Sequence, residues 1–121
     1  MLTSMTALNL LFICSRNQWR SPTAERLWFK RDGINARSAG TSKGARRRVT
    51  LADIQWADAV LVMEEKHKAR LQADFRQDLR YVDLYVLDIP DKYRFMDPEL
   101  VTLIEEATEP LVAAMREHQS D

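Results

Sequence analysis

Cys14, Arg20 and Ser21 are the residues whose types and spacing point most directly to chemistry. They supply a thiol, a guanidinium six positions on and a hydroxyl next to it, within Cys14-Ser15-Arg16-Asn17-Gln18-Trp19-Arg20-Ser21. A thiol attacks as its thiolate, and a helix N-terminus or nearby positive charge favours that form. A guanidinium can hold two equatorial oxygens of a phosphoryl group at once, which an ammonium cannot imitate. A hydroxyl beside the sulfur can donate a hydrogen bond to it and make it a better leaving group when a covalent phospho-cysteine breaks down. The trio suits nucleophilic displacement at phosphorus, with Cys14 attacking and Arg20 holding the transferred group.

Such a trio must be positioned by a strand, a tight loop and a helix. Leu8 to Ile13 is a short apolar run that suits a strand covered on both faces. Ser21 followed by Pro22 predicts a helix start, a side-chain oxygen capping the first turn before a proline whose missing N–H costs nothing, and the helix should run to about Arg31. Ser15 to Arg20 must then turn the chain while their N–H groups lack intrahelical partners, which makes a cradle for an anion. The residues expected to bind it are Ser15, Arg16, Asn17, Gln18, Trp19, Arg20 and Ser21. A lone cysteine is most often a small buried hydrophobe. The long string Cys14-x2-Asn17-x2-Arg20-Ser21-Pro22-x-Ala24-Glu25 at a strand-to-helix turn favours the phosphate site over that reading.

The remaining chain reads as scaffold. Ala24, Leu27 and Trp28 share one face of the first helix, with Glu25, Arg26, Lys30 and Arg31 facing water. Asp32-Gly33 ends it, and Ile34 to Ser38 returns as a second strand. Lys43-Gly44-Ala45-Arg46-Arg47-Arg48 is the dense basic run, expected to be a solvated loop that could offer an electropositive rim. Thr50 to Asp53 opens a short helix with a capping box and ends near Ala57, and Ala59 to Met63 forms a third strand. A helix follows from Glu64, with Leu71 and Phe75 on its core side, and then a fourth strand from Tyr81 to Leu87. His67 and His118 have no metal-ligand partner at useful spacing and read as surface residues, so no metal or other cofactor is expected. A last helix starts at Pro98 behind Asp97 as its cap, carries Leu100, Leu103 or Ile104, Ala107, Leu111 and Met115 as a stripe, and should kink or split at Pro110. Residues 1–6 and Glu117 to Asp121 read as loose ends.

Four strands alternating with helices imply one α/β domain over residues 1–121, a three-layer fold with a parallel sheet in the order 2-1-3-4. Ligands of such sheets bind beyond the strands' carboxyl ends, where the Cys14 loop leaves the first strand and Asp88-Ile89-Pro90-Asp91 leaves the fourth. With 18 basic and 18 acidic residues in 121, no global field argues for nucleic acid, and no apolar run is long enough to span a membrane. A single free thiol suits a reducing compartment, so a cytoplasmic location is expected.

The Cys-x5-Arg-Ser loop with Asn17 inside and Ser-Pro-x-Ala-Glu after it resembles the low-molecular-weight protein tyrosine phosphatases. So do Ser38-Ala39-Gly40-Thr41 and the stretch Trp56 to Glu64 with His67. The resemblance implies a cysteine-dependent phosphatase acting through a phospho-cysteine on phosphotyrosine in a protein or another phosphate monoester, a loop that holds phosphate or sulfate, and bracing roles for Asn17 and Ser38. It also implies a general acid after the fourth strand, an aspartate directly followed by proline. Here the pattern is broken: strand register favours Asp88, with Asp91 as runner-up, while Asp97-Pro98 fits a helix cap better. The family's longer segment near Lys43 to Arg48 is short in this chain, and Trp19 stands where family members commonly carry a second, protective cysteine. The absence of further cysteines argues against arsenate reduction. Two other readings stay open, a phosphoprotein-binding module with a decayed acid and a phosphatase of small phosphometabolites; RNA binding through the basic run is a weaker one.

Overall fold

The structure, a computed structural model, describes residues 7–120 without the side chain of residue 120, so the expected loose lead-in over residues 1–6 lies outside the described residues. Its elements are β1 (Leu8–Cys14), α1 (Arg20–Trp28), β2 (Ile34–Gly40), α2 (Leu51–Trp56), β3 (Ala59–Val62), α3 (Glu65–Phe75), a 3-10 turn (Asp78–Tyr81), β4 (Asp83–Val86) and α4 (Pro98–Ser120). The four strands form one parallel sheet in the order β2-β1-β3-β4. β1 lies at its centre, and Cys14 at its carboxyl end pairs with Gly40.

Alternation along β1 explains the three layers. Leu10, Phe12 and Cys14 face α1 and α4 in a core completed by Ala24, Trp28, Leu100 and Ile104, whereas Leu11 and Ile13 face α2 and α3 with Ile54, Val60 and Leu71. Leu10, Leu11, Phe12 and Ile13 are fully buried, each contributing roughly 1.5–3 kcal/mol by leaving water. The residue whose carbonyl carbon starts the loop is therefore anchored from both faces.

Some boundaries differ from the sequence reading. α1 begins at Arg20, with Trp19 at the cap position and no side-chain cap bond, so Ser21 and Pro22 are its second and third residues. Ser21 is withdrawn from capping because its hydroxyl meets the Cys14 sulfur instead. β2 extends to Gly40 and β4 shortens to Asp83–Val86, because Tyr81 belongs to the 3-10 turn and is exposed. Pro110 does not divide α4, which runs on as one helix of 23 residues. The tail read as loose from Glu117 is helical through Ser120, and residue 121 lies outside the described residues. Asp97 does cap α4, accepting from the Glu99 N–H at 2.9 Å.

Two buried polar groups pin the layers. The capping box of α2 forms between Thr50 and Asp53, and Asp53 also holds Arg47 and, at 3.4 Å, Arg37. Burial alone would raise the Asp53 carboxyl, but the Arg47 and Thr50 hydrogen bonds outweigh it and hold it below the ordinary carboxylate value. His67 contradicts its reading as a surface residue: it is 1% exposed, because the first turn of α3 packs it under the Cys14 loop. Burial, helped by the nearby Arg20 charge, lowers its pKa to about 4.

Asp53→Ala should cost about 2 kcal/mol in urea unfolding, from the lost cap and the lost ion pair. His67 has a folded pKa below its unfolded one, so the unfolded chain binds the extra proton as pH falls. Stability should then be fully present above about pH 6.5 and decline by about 3 kcal/mol towards pH 4. Guanidinium midpoints across that window should show this decline in the wild type and lack it in His67→Gln.

Candidate active site

The Cys14 loop is shaped by where its carbonyls go. Those of Cys14, Ser15 and Arg16 accept from the backbone N–H groups of Thr41, Ser42 and Arg46, each at 3.0 Å, and that of Asn17 accepts from the Arg46 guanidinium at 2.9 Å. Four successive carbonyls thus face the segment after β2. The peptide planes then turn their N–H groups the other way, towards the concave side. Asn17 sits at φ 57°, the left-handed region that asparagine tolerates, and its N–H reaches the Cys14 sulfur at 3.2 Å. Gly40 permits the close approach of the two segments, since a Cβ there would fall 2.4 Å from the Ser15 carbonyl oxygen. The basic run is therefore more than a solvated rim: Arg46 and Arg47 are exposed residues, yet their guanidinium groups brace the Asn17 and Ser38 carbonyls.

Beneath the loop, Asn17 is fully buried and its side-chain amide donates to Ser21 Oγ and to Ser38 Oγ, both at 2.9 Å. Ser21 Oγ lies 3.0 Å from the Cys14 sulfur and 3.4 Å from the Ala39 carbonyl. Having accepted from Asn17, Ser21 keeps one hydrogen, and the sulfur is the nearer acceptor. Ser38 passes its own hydrogen to Glu25. Glu25, read from the sequence as facing water, thus completes this chain. The bracing geometry implied for Asn17 and Ser38 is present.

Arg20 is 1% exposed and reaches the same mouth from the first residue of α1. Its Nη1 donates to the Glu64 carboxylate and, at 2.8 Å, to the Ile89 carbonyl; its Nε lies 3.6 Å from Asp91 Oδ1. Burial would raise the Glu64 carboxyl, but the hydrogen bond and charge of Arg20 prevail and keep it below the usual carboxylate range. Glu64, read from the sequence as the start of a helix, is the cap residue of α3 and the anchor of Arg20.

Cys14, Ser15, Arg16, Gln18, Trp19, Arg20 and Asp91 line one small cavity of about 30 Å³. Asp88 does not reach it. The chain turns at Asp88 with φ 56°, which buries Ile89 and leaves Asp88 exposed beside Glu64, Glu65, Lys66 and Pro90. Strand register favours Asp88, but its side chain lines a different surface hollow from the one at Cys14. Asp91, three residues on, is the carboxylate that meets the cavity. Among the described residues no group of three or more His, Cys, Asp or Glu side chains is arranged to hold a metal, and no helix is long and apolar enough to cross a membrane.

No family model and no curated protein matches the chain. Its fold does match solved structures. The tyrosine phosphatase Wzb from Escherichia coli in complex with phosphate superposes with a TM-score of 0.71 at 23% identity, over 88% of this chain and 96% of that one. A low molecular weight phosphotyrosine phosphatase from Vibrio cholerae gives 0.69 at 24%, over 93% and 99%. The YwlE arginine phosphatase from Geobacillus stearothermophilus gives 0.66 at 22%, over 92% and 97%. The parallel β2-β1-β3-β4 sheet and its flanking helices are thus those of the low-molecular-weight phosphotyrosine phosphatase fold.

Proposed function

We propose that the chain is a phosphate monoester hydrolase that works through a phospho-cysteine intermediate. The observation that carries this reading is the arrangement around Cys14: a sulfur that accepts from Asn17 N–H and faces Ser21 Oγ, at the mouth of a loop whose carbonyls from Cys14 to Asn17 are turned outward. Cys14 attacks phosphorus in line and the ester oxygen departs. The inward N–H groups from Ser15 to Arg20 and the Arg20 guanidinium hold the equatorial oxygens as charge shifts in the transition state. Asp91 gives its proton to the leaving oxygen, a role its place on the cavity wall supports over Asp88. Water then attacks the phospho-cysteine, Asp91 takes up its proton, and the Ser21 hydrogen bond supports the departing sulfur. Phosphate leaves, and the thiolate is restored.

The preferred substrate is phosphotyrosine in a protein. Trp19 lines the cavity and is 40% exposed, a flat apolar wall against which a phenyl ring can pack. The exposed Phe95 and Met96 extend apolar surface along the segment that follows Asp91. The free thiol suits a cytoplasmic location. A phosphatase of small phosphometabolites and a phosphoprotein-binding module are the competing readings. Release of phosphate from phosphotyrosine peptides, compared with phosphoarginine peptides and small phosphate esters, decides among them.

Cys14→Ser should abolish turnover, and Arg20→Lys should reduce kcat/KM for a phosphotyrosine peptide by about a hundredfold or more. Asp91→Ala should lower kcat for that peptide by about a hundredfold, and much less for para-nitrophenyl phosphate, whose leaving group needs little protonation. Asp88→Ala should stay within about threefold of wild type. The opposite ranking of the two aspartates in steady-state kinetics would return the acid role to Asp88.

A further inference from the structure

The side chains of buried His67 and half-buried Ser15 form a pair that the proposed chemistry does not use. His67 is the third residue of the first turn of α3, and its Nδ1 accepts from the Glu64 backbone N–H at 3.0 Å. Its Nε2 lies 2.8 Å from Ser15 Oγ. An N–H can only donate, so Nδ1 must present a lone pair. Burial and the Arg20 charge keep the ring neutral, which leaves its one hydrogen on Nε2. That N–H donates to Ser15 Oγ, and Ser15 becomes the acceptor in the pair.

A serine hydroxyl that accepts from an imidazole N–H still holds its own hydrogen, which must find another acceptor. Ser15 lines the same cavity as Cys14 and Arg20. We propose that His67 is a positioning residue that makes the Ser15 hydroxyl an obligate donor towards an oxyanion in the Cys14 cradle, adding a side-chain donor to the ring of backbone N–H groups. The same turn of α3 then serves two points of the cradle: Glu64 fixes Arg20 and His67 orients Ser15. This inference rests on the anion site described above, and its tests need no turnover. It would therefore survive if the chain bound phosphate without hydrolysing its esters.

Nitrogen-15 spectra of the wild-type protein at pH 7 should show His67 as the neutral tautomer protonated at Nε2. A ring protonated at Nδ1, or an imidazolium, would overturn the proposal. Affinities for inorganic phosphate and for orthovanadate, read by fluorescence or calorimetry, supply the second test. Ser15→Ala and His67→Phe should each weaken both anions by about tenfold, and the double variant should be no weaker than either single one, as for two residues acting through one hydrogen bond. His67→Gln, which keeps a carbonyl for the Glu64 N–H and an N–H for Ser15, should restore affinity to within about threefold of wild type. If His67→Phe folds and binds both anions like wild type, or if the two losses multiply in the double variant, His67 does not act through Ser15.

Discussion

The site depends on a constraint of backbone geometry: each peptide unit of the Cys14 loop can point only one way at a time. Once Thr41, Ser42 and Arg46 take the carbonyls of residues 14 to 17, the N–H groups of residues 15 to 18 in the same peptide planes point the other way, to the concave side. The donors are thus pre-aimed, and little reorganisation is needed when an anion arrives. Gly40 is part of the same constraint, since any side chain there would push the two segments apart. The short basic segment is the outer wall against which the loop is bent.

Electrostatics add a second layer. Arg20 is buried at the cradle's mouth, where an unpaired cation would be costly, and Glu64, the Ile89 carbonyl and Asp91 surround it. Glu64 and Ile89 both take Nη1, which orients the guanidinium plane. Asp91 lies 3.6 Å from Nε and on the wall of the same cavity. The buried hydroxyl chain from Asn17 through Ser21 and Ser38 to Glu25 fixes the loop from below, and every donor in it has an acceptor.

Much of this was legible in the chain because the informative signals are local. The apolar run of β1, the loop string and Pro22 lie within one continuous stretch, and the alternation of strands with helices implies parallel pairing through right-handed crossovers. What escaped depends on contacts distant in sequence or on a backbone turn. Strand register alone favours Asp88 and does not report the backbone turn there. The apolar Ile89 must bury, however, and the left-handed turn at Asp88 that achieves this carries Asp91 to the cavity. His67 looked exposed because no metal partner stood near it, yet Glu64-x2-His67 has the three-residue spacing of a capping box, a signal that was there to read. Arg46 and Arg47 resembled a solvated charge run because their partners are the Asn17 and Ser38 carbonyls, which no side-chain pattern reveals.

The most direct measurement of the cradle is a titration of isotope-labelled protein with inorganic phosphate, followed through its backbone amide resonances. The amides of residues 15 to 20 should shift together along one saturation curve. Shifts confined to the Lys43 to Arg48 segment, or none in the loop at saturating phosphate, would show that these N–H groups do not form an anion site.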